Sequence, residues 1–167
     1  PADASATELA AGFTDRDDFE FIELMNRGSQ TINLSGVKFI DGVTFDFSTA
    51  EIRSLDPGAR VLIVKNLAAF EERYGNAFSS KIAGEYSGNL SNDGELITLV
   101  DATGTNILSF TYNDQSPWPE EPDGDSYTLV LINPMGPPIP EYGDPANWRA
   151  SASSGGSPGD TGSSNYN

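Results

Sequence analysis

The chain has 167 residues, enough for one domain with a single core, and 37% apolar content with 10% aromatics is what a folded β-rich domain carries. Nine Lys+Arg against 25 Asp+Glu give a net charge of -16, which disfavours nucleic acids and anionic membranes, since binding either depends on basic side chains. The absence of cysteine and histidine excludes disulfides, thiolate and Ser-His chemistry and the usual zinc sites, leaving only oxygen-held hard cations such as calcium or magnesium.

No apolar run approaches the roughly 18 to 20 residues of a membrane-spanning helix. The first residue is Pro1 rather than Met, which reads as a piece or processed form of a longer protein. Residues 1–5 are expected to be a flexible lead, 6–160 the folded domain and 161–167 a disordered tail. The first 17 residues are small and acidic, with SATELAA the only stretch of strand or helix potential. FEFIELMN then alternates, placing Phe19, Phe21 and Glu23 on one face and Glu20, Ile22 and Leu24 on the other, as a strand does. A turn follows at Gly28, and strand material on both sides of Ser35-Gly36 runs to Asp41-Gly42, a hairpin signal. VTFDF alternates again, with Val43, Phe45 and Phe47 together.

Asp56-Pro57-Gly58 is a tight turn into ARVLIVKN, an apolar run that predicts a strand buried on both faces. One convincing helix follows: Asn66 caps it, Leu67, Phe70 and Tyr74 share a face, and Gly75 ends it. It is expected to cap one opening of a sandwich. Residues 96–100 and 107–112 form a hairpin around the DATG turn. SYTLVLI is a further strand, and a proline-rich irregular connection leads to Trp148. Eight or nine short strands with turns every eight to twelve residues and one short helix predict an all-β, antiparallel β-sandwich.

The acids of WPEEPDGDSYTLVLINP pose the functional question. Glu120, Glu121, Asp123 and Asp125 have no apolar surroundings to raise the pKa of one member, as an acid-base pair of a glycosidase requires, so catalysis is disfavoured. Asp123 and Asp125 flank Gly124, and with Asp114 they are candidate calcium ligands. Asp15, Asp17 and Asp18 form a weaker set of the same type. Trp118, Tyr127, Tyr142 and Trp148 could make an aromatic platform for a sugar, although packing at one end of the sandwich is the expectation for Trp148. Trp118, between Pro117 and Pro119, is expected to be exposed. Trp118 and Tyr142 are the candidate contacts for a partner or ligand.

The segment order resembles that of the lamin tail domain. The resemblance is carried by FEFIELMNRGSQTINLSGVKF, by EIRSLDPGARVLIVKN, by SGNLSNDGELITLVDATGTNILSFTYND, by WPEEPDGDSYTLVLINP and by DPANWRASASSGGSPGD, in that order. Val37 stands where that family often has tryptophan, TLVLINP lacks the usual Ser-Leu-Glu-Arg type of run, and SATELAA matches the first strand only loosely. The resemblance implies an immunoglobulin-like β-sandwich without catalytic residues. It further implies an interaction or anchoring module of a larger bacterial exported or cell-surface protein, bound to a protein partner or to neighbouring domains. A carbohydrate-binding module, with calcium as a possible structural ion, is the alternative expectation.

Overall fold

The computed structural model describes residues 1–135 and 141–159; the tail expected at 161–167 lies outside them. Helix α1 (Ala6–Ala10) precedes strand β1 (Phe21–Met25). Then come β2 (Ile32–Asn33), β3 (Lys38–Asp41), β4 (Phe45–Asp46), β5 (Ser54–Leu55) and β6 (Arg60–Val64). Helix α2 (Leu67–Tyr74) leads to β7 (Ile82–Glu85), β8 (Leu96–Val100), β9 (Asn106–Thr111), β10 (Leu129–Leu131) and β11 (Trp148–Ala150). Two sheets form the sandwich, in the orders β1-β6-β7 and β4-β3-β8-β9, while β2-β5 and β10-β11 are separate short pairs.

The core follows from the alternation in the strands. In β6 every residue from Val61 to Val64 is buried, because the strand has cover on both faces. Val61 and Ile63 point into the sandwich with Phe39, Phe45, Phe47 and Leu99, whereas Leu62 and Val64 point outward beneath Phe70 of α2. The helix therefore covers the outer face of a sheet instead of an opening of the sandwich. Its ends are as the sequence predicts: the Asn66 side chain accepts from the Ala69 amide at 3.1 Å, and Gly75 terminates it at φ 74°. Val37, in place of the family's tryptophan, is buried in the same core as Phe39.

Two features depart from expectation. SATELAA is a helix, stabilised by a capping box in which the Ser5 hydroxyl accepts from the Glu8 amide and Glu8 accepts from the Ser5 amide. The strands are not all antiparallel: β7 runs parallel to β6, because residues 65–81, carrying α2, make the crossover that parallel neighbours require. Near the start of the chain, Arg73 donates to the carbonyls of Ala2 and Asp3.

Two turns lock the register. At the Asp41-Gly42 hairpin Gly42 sits at φ 78°, where an L side chain is strained, and a Cβ there would lie 3.0 Å from the Leu96 carbonyl oxygen, so the turn favours glycine. In the turn between β8 and β9 the Asp101 carboxylate accepts from the amides of Thr103 (2.8 Å) and Thr105 (2.9 Å). The loop after β1 is organised by buried Asn26. Its amide donates to the carbonyls of Gln30 and Leu55, and its oxygen accepts from Gly28.

Candidate functional site

Of the acidic residues singled out, Asp114, Glu120, Asp123 and Asp125 line one open depression with Gln115, while Glu121 lies outside it. The loop is held by backbone bonds from Asp123 to Glu120 and from Gly124 to Pro122, and Asp114 accepts from the Gln115 side chain at 2.8 Å. Among the described residues no three carboxylates come close enough together to hold a metal ion. The weaker set is spent on local structure: Asp15 caps the turn that begins at Arg16, and Asp18 accepts from Asn66. Binding to the folded state alone would raise the thermal midpoint. With no assembled ligand set, the midpoint is expected to be the same in EDTA and in millimolar calcium. A calcium-specific rise, absent with magnesium, would show that the loop closes around the ion.

The aromatic residues are packed on one another. Trp148 stacks on Phe110 of β9 at 5.5 Å, Trp118 lies 6.2 Å from Trp148, and Tyr142 lies 5.7 Å from Phe110. The Trp148 indole donates to the Tyr142 carbonyl at 2.7 Å. Trp118, expected to be exposed, is only 9% exposed. Its ring packs on Trp148, a partner 30 residues away. The ring is thus part of an internal cluster and offers no open face for a sugar. Tyr142 is half-buried in that cluster, and Tyr127, Tyr142, Phe110 and Trp148 all line one apolar cleft.

That cleft, of about 750 Å³, lies along the open side of the sandwich. Ile22 and Leu24 of β1, Leu108 and Phe110 of β9, and Leu129 and Leu131 of β10 line it. The sequence contained two signals of it, the apolar face of FEFIELMN and the alternation of SYTLVLI, but not that these faces would meet without closing. The lining strands are half-buried along their length: β1 and β10 hold no fully buried residue. Among the described residues strand β10 pairs only with β11 and joins neither large sheet.

A half-buried carboxylate, Glu23, and a buried one, Glu20, lie beside it. Glu23 is held by Arg60 at 2.6 Å, and burial raises its pKa. Glu20, 4% exposed, accepts from the Tyr86 hydroxyl and the Leu90 amide, both at 3.0 Å. Burial is the main reason its pKa lies above the usual 4.5. The stability it contributes is therefore complete below pH 4.5 and is lost as pH rises through the raised value. Glu20→Gln keeps the acceptor without the buried charge. Its urea midpoint should exceed wild type at pH 7, with the difference vanishing below pH 4; a lower midpoint at pH 7 would mean that the carboxylate is required as an anion.

The family model of the lamin tail domain matches residues 3–114. The chain belongs to the lamin tail domain family. That family has an immunoglobulin-like fold, and its members typically mediate protein interactions. Among curated proteins none matches the chain. The match ends at Asp114, so α1 through β9 make up the matched lamin tail domain, while Trp118, Asp123, Asp125, Tyr142 and the β10-β11 pair follow it. The cleft lies on the seam between the two parts.

Proposed function

We propose that this lamin tail domain is a non-catalytic interaction or anchoring module of a larger bacterial exported or cell-surface protein, and that it engages a protein partner or a neighbouring domain of its parent chain. The observation that carries the reading is the cleft: an apolar interior left accessible between two sheets, with strand edges at its rim. An exposed apolar patch of this kind marks a surface that another molecule covers. The packed state of Trp118 counts against the carbohydrate reading, which relied on that ring. The excess of acids directs the surface toward partners carrying basic groups.

Selection from a random displayed-peptide library, run alongside a glycan array, tests this reading. The expected result is peptides that bind the chain saturably in the micromolar range and an array without signal. Saturable binding of a glycan with no peptide enriched would overturn it.

A further inference from the structure

The rim of the cleft is made of backbone as well as side chains. In the antiparallel β1-β6 ladder the Lys65 amide donates to Glu20 and the Asn26 amide donates to Ala59. Successive residues of such a ladder point their N–H and C=O alternately toward the partner strand and away from it. Glu20, Ile22, Leu24 and Asn26 thus face β6, and the backbone groups of Phe21, Glu23 and Met25 face the cleft side. In β10 the Thr128 carbonyl accepts from Ser151 and the Ile132 amide donates to Asn147, so the backbone groups of Leu129 and Leu131 point away from β11. Among the described residues no hydrogen bond reaches the backbone of these five outward positions.

We propose that the cleft is a slot for an extended peptide strand of a protein partner, which enters between β1 and β10 and carries alternating apolar residues with lysine or arginine at its ends. The proposal rests on the interaction-module reading and specifies its site. A small apolar ligand would fill the space but leave the strand edges unpaired beside an apolar wall, where an unsatisfied amide is costly. A strand fills the space with every second side chain and satisfies the edges with its own backbone, as in sheet augmentation. Strand β10 is paired with β11, whose Trp148 stacks on Phe110 of β9. Charge selects the ends of the guest: Asp101, Asp114 and Asp123 line the cleft together with the Glu23–Arg60 ion pair, while Arg27 and the Pro1 amine are the other cationic groups of the lining.

The test uses the 167-residue chain and a synthetic nonapeptide of alternating valine and threonine flanked by lysines. Two control peptides carry glutamate flanks or N-methyl groups at every second residue. Backbone-amide NMR should show saturable shifts at Phe21, Glu23, Met25, Leu129 and Leu131. Affinity should fall at least tenfold with glutamate flanks and be lost on N-methylation. Equal binding of the N-methylated peptide, no binding at millimolar peptide, or shifts confined to other surfaces would overturn the slot. The interaction reading would then still be decided separately, by the displayed-peptide selection. Amides of Phe21, Glu23 and Met25 already protected in the free chain would also overturn it, because β10 would then be the strand that completes the sheet.

Discussion

Arg73→Ala should destabilise the chain by about 3 to 5 kcal/mol, the cost of breaking a buried ion pair from one side. Arg73 makes two bonds to Glu8, Nε to Oε1 at 2.7 Å and Nη2 to Oε2 at 3.0 Å, and both side chains are at most 10% exposed. Its guanidinium also lies 3.4 Å from the centre of the Phe19 ring and donates to the carbonyls of Ala2 and Asp3. The substitution therefore strands a buried carboxylate and unpins α1 from α2 together. The Arg73 hydrogen bond holds the Glu8 pKa down at about 2, from a usual 4.5. The stability this provides is present above pH 4.5 and drains away as pH falls toward 2. Wild type should lose stability across that window while Arg73→Ala loses less. Adding Glu8→Gln to the variant should recover part of the loss, a coupling read from the double-mutant cycle. A loss under about 1 kcal/mol with no coupling would mean that the pair is solvated.

Phe70→Ala is expected to cost a similar amount, about 3 to 5 kcal/mol, by opening a cavity beneath α2. Phe70 is fully buried, in contact with Phe21 at 5.7 Å, Tyr74 at 4.6 Å and Phe78 at 6.2 Å. Phe21 belongs to β1, so Phe70 supports from outside the strand whose other face lines the cleft. Urea unfolding should show a lower midpoint with an unchanged slope, since the surface exposed on unfolding hardly changes. A shift below about 1 kcal/mol would show that the helix is not packed as described.

What was legible in the sequence had local causes. Asn66 and Gly75 bound α2, Asp41-Gly42 makes its hairpin, and the uninterrupted run of β6 announces a strand covered on both faces, because each pattern is set within a few residues. The capping box of α1 was also there to be read, in Ser5 and Glu8, but five residues gave no period to support it. Contacts between distant segments were not legible. Trp118 has prolines on both sides and the outline of a loop tip, yet Trp148 and Phe110 bury it. Glu20 lies in an alternating strand pattern as if solvated, and the groups that hold it, Tyr86 and Leu90, are more than 60 residues away. Asp114, Glu120, Asp123 and Asp125 line one depression, but spacing alone does not make their oxygens converge.

Amide hydrogen exchange of β1 in the free chain tests the open edge most directly. Ile22 and Leu24, whose amides point to β6, should exchange slowly, and Phe21, Glu23 and Met25, whose amides point into the cleft, should exchange fast. Uniform protection along all five residues would contradict the account, because it would mean that the slot beside β1 is already filled.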